Sequence, residues 1–207
     1  MPETVSAAIN EAISQLKEEK INFTLEADFQ FSLAWKLKEI LGEKTKIILE
    51  YPYLSNEENR IKYIDIFVDT PNEVSFIELK YKTKSQQISR CGIELTLKKQ
   101  GAQDLGRLMF VQDIERLEKI KNPTNKKMNN YCLFLTNDKV YWNKGSGKTI
   151  DKDFYLDGNI AAGEKTFSSP KDKYKKVIST NDYECHWSDY TEGCRLLTIN
   201  VKPSKKL

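Results

Sequence analysis

Asp65 lies inside an apolar run, Tyr63-Ile64-Asp65-Ile66-Phe67-Val68. Thirteen residues later, Phe76-Ile77-Glu78-Leu79-Lys80-Tyr81 sets Glu78 and Lys80 on one face of a second strand, with Ile77, Leu79 and Tyr81 on the other. A carboxylate or an ammonium in such a setting costs free energy unless it is paired, hydrogen-bonded or bound to a metal. Two neighbouring carboxylates can hold a hard cation such as Mg²⁺ or Mn²⁺, with water completing its shell. A lysine beside them can hold or deprotonate a water, or steady the charge that builds on a phosphate. These are the parts that metal-assisted phosphodiester hydrolysis needs. The same residues also read as a plain cross-strand Asp–Lys pair at a sheet edge. An acid two residues before a lysine occurs twice, in Glu18-Glu19-Lys20 and Glu78-Leu79-Lys80, and only the second lies in an apolar strand.

The surrounding periodicities say what positions them. Val5, Ala8, Ile9, Ile13 and Leu16 predict a helix over 4–20 with Thr4 as N-cap. Phe29, Leu33, Leu37 and Ile40-Leu41 predict a second over 26–41, ended by Gly42. Strands are expected at 47–53, 61–68 and 74–82, with turns at Ser55–Asn59 and Thr70-Pro71-Asn72 short enough for antiparallel neighbours. Residues 83–97 read as a polar loop. A helix over 98–121, with Ala102, Leu105, Met109, Phe110, Ile114 and Leu117 on its buried side, stops at Asn122-Pro123. Tyr131–Thr136 reads as a buried strand, parallel to an earlier one because a helix connects them. Beyond 137 there are short strand signals at 140–142, 183–187 and 196–201. The order is α-α-β-β-β-α-β with a β-rich extension, read as a single domain over 1–207 with a core of about 22–136 and an extension of about 137–207.

This arrangement resembles the PD-(D/E)XK nuclease superfamily. Glu26 on a helix, Asp65 in a strand, then Glu78-Leu79-Lys80 and a long helix follow its pattern over about half the chain. The resemblance implies a restriction-endonuclease-like αβββαβ core, a mixed sheet flanked by helices. It implies that Asp65 and Glu78 bind Mg²⁺ or Mn²⁺, that Glu26 completes the acidic cluster, and that Lys80 assists the attacking water. Many relatives carry a glutamine on the following helix, a role that Gln103 suits better than Gln100. Ile64 stands where the family's proline would be.

Charge adds a surface. The net charge is +3, but residues 79–107 contain Lys80, Lys82, Lys84, Arg90, Lys98, Lys99 and Arg107 against Glu94 and Asp104. Clustered cations attract a polyanion, so Lys82, Lys84, Arg90, Lys98, Lys99 and Arg107 are candidates for the backbone of a nucleic acid. A solvated face is the bland alternative.

Other motifs fall away. Gly145-Ser146-Gly147-Lys148-Thr149 ends like a phosphate-binding loop, but Trp142 occupies the place of its first glycine. His186, the only histidine, lacks companions for a zinc site. Nothing orients His186 with Cys185 or Cys194 for nucleophilic catalysis. No run approaches the roughly 20 apolar residues that span a bilayer. The first residues have no leader pattern, and the four cysteines form no C-x-x-C pair, so a soluble cytoplasmic protein without a membrane partner is expected. The expected activity is metal-dependent hydrolysis of DNA, with a homodimer fitting a duplex cut on both strands. The competing class is an inactive protein of the same fold that binds nucleic acid or protein.

Overall fold

The computed structural model describes residues 4–19, 22–55, 59–167, 175–191 and 193–205. Helices α1 (Val5–Glu18) and α2 (Glu26–Leu41) precede strands β1 (Lys46–Ser55), β2 (Arg60–Asp69), β3 (Glu73–Lys82), β4 (Gln86–Arg90) and β5 (Ile93–Leu97). Helix α3 (Gln103–Lys119) leads to β6 (Lys127–Met128) and β7 (Asn130–Thr136). Strands β8 (Asn159–Ile160), β9 (Gly163–Phe167), β10 (Lys175–Ser179), β11 (Tyr183–Glu184), β12 (Trp187–Thr191) and β13 (Cys194–Val201) complete the order, with 3-10 turns at Lys139–Tyr141 and Lys152–Phe154. Among the described residues this is a mixed α/β protein with three α-helices and a seven-stranded mixed sheet.

Residues cluster into two compact units, Met1–Leu79 with Lys121–Tyr131, and Lys80–Ile120 with Cys132–Leu207. The division falls within β3 and β7.

In the first unit, Thr4 caps α1 by accepting from the Ala7 amide at 3.2 Å. The Val5 amide donates to the buried Glu73 carboxylate, which also receives the Asn129 side-chain amide at 2.6 Å. An acid suits a helix N-terminus, where unpaired N–H groups carry partial positive charge. The buried face of α1 takes Ala12 and leaves Ile13 half-buried. Helix α2 buries Phe29, Leu33, Leu37 and Ile40, as its spacing requires, and ends at Gly42. Strand β1 pairs antiparallel with β2, from Lys46↔Asp69 to Ser55↔Arg60. Strand β2 pairs antiparallel with β3 from Ile66↔Ile77 to Asp69↔Val74, and β3 pairs parallel with β6. Tyr51, Phe67 and Phe76 pack at ring distances of 4.4 to 5.7 Å.

In the second unit, residues expected to form a polar loop instead form the antiparallel β4–β5 hairpin, from Gln86↔Leu97 to Arg90↔Ile93. Its two-residue turn needs positive φ at both positions, and Cys91 (52°) and Gly92 (76°) supply it. Helix α3 is shorter than its apolar spacing predicts. Ala102 adopts a left-handed conformation (φ 57°, ψ 52°) immediately before it, so the helix begins at Gln103. Ala102 is accordingly exposed, Leu105 half-buried and Met109 46% exposed, while Leu108, Phe110, Val111, Ile114 and Leu117 are buried. Gly106 is required where α3 passes Tyr141, because a Cβ there would collide with the Tyr141 hydroxyl. Strands β7, β13 and β12 lie side by side, with Phe134 packed against Phe110 at 5.2 Å and Tyr141 at 4.7 Å. The strand expected over 140–142 is a 3-10 turn, begun by Asp138, whose carboxylate accepts from the Val140 amide at 3.2 Å. The signal at 183–187 divides between β11 and the start of β12. The buried carboxylate of Glu118 on α3 holds the 179–183 segment, accepting from the Thr180 amide at 2.8 Å and the Tyr183 hydroxyl at 2.7 Å.

Candidate active site

Asp65 and Glu78 occupy adjacent antiparallel strands. The register runs Asp69↔Val74, Val68↔Ser75, Phe67↔Phe76 and Ile66↔Ile77, and ends one residue short of Asp65 and Glu78. Phe67 and Phe76 are opposed and share a sheet face, and alternation along each strand puts Asp65 and Glu78 on that face. The last β2–β3 pair is Ile66↔Ile77, and beyond it the Asp65 carboxylate replaces the ladder by accepting from the Leu79 amide at 2.6 Å. The central residue of Glu78-Leu79-Lys80 is thereby tied to Asp65. Glu78 is only 3% exposed and Asp65 half-buried.

A glutamine not anticipated from the sequence braces this place. The Gln30 side-chain amide donates to the Asp65 carbonyl at 2.7 Å and to the Glu50 carboxylate at 2.8 Å. Glu50 lies between the pairs Leu49↔Ile66 and Tyr51↔Ile64, level with Asp65, and its φ of 50° breaks the strand conformation there. Left-handed backbone at a non-glycine residue costs about 1–2 kcal/mol. Glu26, the first residue of α2, stands one turn before Gln30 on the same side of the helix. Its spacing of four from Glu26 was the available sign of Gln30. Glu50 gave none, since it looked like one more polar residue in an alternating strand.

Lys80 follows Glu78 by two residues on β3 and is the first residue of the second unit. Its ammonium pairs with Asp113 of α3 at 2.6 Å, and Asp113 also pairs with Arg116. The Lys80 and Asp113 side chains are 15% and 8% exposed. Asp113 is an acid on the helix that sequence reasoning passed over. Gln103 is the first residue of α3, and its side-chain amide donates to the Asp138 carboxylate at 3.0 Å. Gln100, outside the helix, pairs with Thr83: its amide donates to the Thr83 carbonyl at 2.8 Å and its side-chain oxygen accepts from the Thr83 amide at 3.1 Å.

The basic residues divide. Lys84, Lys98 and Lys99 are exposed, and Lys82 and Arg90 half-buried. Arg107 leaves the set expected to face phosphate. It is 6% exposed, donates to Asp151 at 2.5 Å and to the Val140 carbonyl at 2.7 Å, and lies over the Tyr141 and Tyr155 rings. A guanidinium so engaged is part of the interior.

Two carboxylates on one face provide hard oxygen ligands of the kind Mg²⁺ takes with several retained waters. No cluster of three or more His, Cys, Asp or Glu side chains able to hold a metal occurs among the described residues. The rejected motifs stay rejected on geometry. Gly145–Thr149 is followed by a 3-10 turn rather than a helix, and exposed His186 pairs with Glu184 at 2.8 Å. Burial pushes the Cys185 and Cys194 thiols up to about 12, so neither is a ready nucleophile near neutral pH. A cleft of about 340 Å³ lined by Asn159, Asp182, Tyr183, Glu184 and Asn200 contains none of the candidate residues. No helix among the described residues is long and apolar enough to cross a membrane. Comparison of the chain with protein-family models, curated proteins and solved structures finds no match.

Proposed function

We propose that the protein is a metal-dependent nuclease that hydrolyses phosphodiester bonds of DNA, with a restriction-endonuclease-like core. The observation that carries this reading is the Asp65 carboxylate on β2 bonded to the Leu79 amide, which follows Glu78 on the adjacent strand β3. Asp65 and Glu78 would hold Mg²⁺ or Mn²⁺, whose chemistry is to acidify a bound water and offset charge on the phosphate. Glu26 lies on the helix face that meets β2 through Gln30, where it serves as an accessory acid. Gln30 positions the strand that bears Asp65 by holding its carbonyl. Lys80, paired with Asp113, takes the role of steadying the attacking water or the phosphate. Gln103 orients through Asp138 and takes a positioning role at the start of α3. Lys82, Lys84, Arg90, Lys98 and Lys99 hold the nucleic-acid backbone, a contact that carries no sequence information.

A crystal soaked in Mn²⁺ tests the site. Anomalous density between Asp65 and Glu78 is expected. Density elsewhere, or none at millimolar Mn²⁺, favours the second reading of an inactive nuclease-fold protein that binds nucleic acid, to which the Lys80–Asp113 pair lends support as a purely structural contact.

A further inference from the structure

The β4–β5 hairpin presents two chemically different faces. By its register, Gln87 lies opposite Thr96 and Ser89 opposite Glu94 on one face, and all four are exposed. Ile88, Leu95 and Leu97 lie on the other, with Ile88 and Leu97 buried. Among the described residues, none of the four polar side chains has a partner. The hairpin is nevertheless firmly rooted. The Thr83 hydroxyl donates to the Lys98 carbonyl at 2.7 Å, and Thr83 pairs with Gln100. Asn137 accepts from the Lys84 amide at 2.6 Å, donates to the Lys84 carbonyl at 3.0 Å and donates to the Gln86 side chain at 2.6 Å. A rigid base thus carries a ribbon whose outer face offers amide and hydroxyl groups.

Charge says what it meets. Residues 82–99 carry an excess of four positive charges in a chain whose total is +3, so the remaining residues are net −1. Exposed Lys84, Lys98 and Lys99 flank the root of the ribbon. A polar reading face bordered by cations complements a groove bordered by phosphates.

We infer that the outer face of the β4–β5 hairpin enters the major groove of duplex DNA and reads base edges through Gln87, Ser89 and Thr96. This deepens the proposed function and rests on it for the choice of DNA. A two-stranded ribbon fits the roughly 12 Å major groove and not the roughly 6 Å minor groove. The major groove of A-form RNA is too narrow for side chains to read. Alternate residues on a strand are about 7 Å apart, so the face spans two to three base pairs at about 3.4 Å each. Gln87 suits the N6 and N7 of adenine, and the hydroxyls of Ser89 and Thr96 accommodate several bases. Lysines at the root bind phosphates and set the register.

The test is a binding selection from a randomised DNA duplex pool in EDTA, where no cleavage intervenes, using the full chain. Wild type is expected to enrich a motif of two to three base pairs. Gln87→Ala should lose preference at one position by about tenfold, with its melting temperature unchanged. Gln87→Ala/Ser89→Ala/Thr96→Ala should lose the motif altogether while binding random duplex within about twofold of wild type. Enrichment of no motif, the same motif with the triple variant, or equal binding of duplex RNA overturns the inference. Mg²⁺-dependent cleavage is scored separately. Cleavage without base preference removes the groove-reading hairpin and leaves the nuclease. A hairpin-dependent motif without cleavage does the reverse.

Discussion

The Leu79 amide donates to the Asp65 carboxylate at 2.6 Å, just beyond Ile66↔Ile77, the last paired position of β2 and β3. Asp65 therefore has a structural duty as well as its proposed metal-binding one, and substitutions can separate them. Asp65→Asn keeps a side-chain oxygen for the amide but loses the negative charge. It should abolish Mn²⁺ binding, read by calorimetry, while lowering stability by less than about 1 kcal/mol. Asp65→Ala also strands the amide and should be less stable than the asparagine variant by a further 1–2 kcal/mol or so in urea unfolding.

Lys80 and Asp113 distinguish a working lysine from a structural one. Lys80→Ala leaves Asp113 with Arg116 and should cost about 1–3 kcal/mol. Asp113→Asn should cost a similar amount yet retain cleavage, because the amide still holds the chain in place and the ammonium remains. Loss of cleavage in Lys80→Ala alone, both variants being folded by circular dichroism, assigns the lysine to the chemistry. Equal cleavage by the two variants would make the pair structural only.

Arg107 should behave as a core residue. Removing it leaves Asp151, which is 2% exposed, without its cation, so Arg107→Ala should lower stability by about 3 kcal/mol or more. Its effect on DNA affinity should be negligible wherever the variant is folded. By contrast, replacing Lys84, Lys98 and Lys99 together with alanine should leave stability intact and reduce the slope of log K against log salt by about 2–3.

The thiols give a pH test. Burial holds Cys185 and Cys194 as neutral thiols, pushed up to about 12 from an ordinary 9.0. Cys132 is fully buried and Cys91 exposed at the hairpin turn. At pH 8 in native buffer, iodoacetamide should therefore modify Cys91 first, the half-buried Cys185 and Cys194 much more slowly, and Cys132 only on unfolding. Because the raised value belongs to the folded state, the stability these two thiols contribute is full below about pH 9 and declines between 9 and 12, as unfolded thiolates form. A Cys185→Ala/Cys194→Ala variant should show a shallower fall over that window in urea titrations.

Much of this frame was legible in the sequence because it rests on local periodicity. The spacing Phe29, Leu33, Leu37 and the glycine after Leu41 placed α2 at its observed bounds, and the alternation through Ile64, Ile66 and Val68 placed β2. The β4–β5 hairpin was missed because its turn depends on Cys91 tolerating positive φ, which residue type does not advertise. The start of α3 was misplaced for a related reason, the left-handed Ala102, since alanine ordinarily continues a helix. Within the site, Asp65, Glu78 and Lys80 stood out as charges in apolar strands. Gln30, Glu50 and Asp113 did not, because these contacts are with partners 20 or more residues away that only the sheet register and helix packing bring close. Arg107 looked like surface charge in a basic run and is instead bound to Asp151, 44 residues distant.

The most direct measurement is nicking of supercoiled plasmid by the purified full chain in 5–10 mM or so Mg²⁺, with EDTA and Glu78→Ala as controls. Wild type is expected to convert the plasmid to open-circular and linear forms only when metal is present. Glu78→Ala should be at least about 100-fold slower, and at least as stable thermally, because an acid pair without its cation repels itself. Cleavage by Glu78→Ala at the wild-type rate, or none by wild type on supercoiled, linear or single-stranded DNA with either Mg²⁺ or Mn²⁺, would contradict the nuclease assignment.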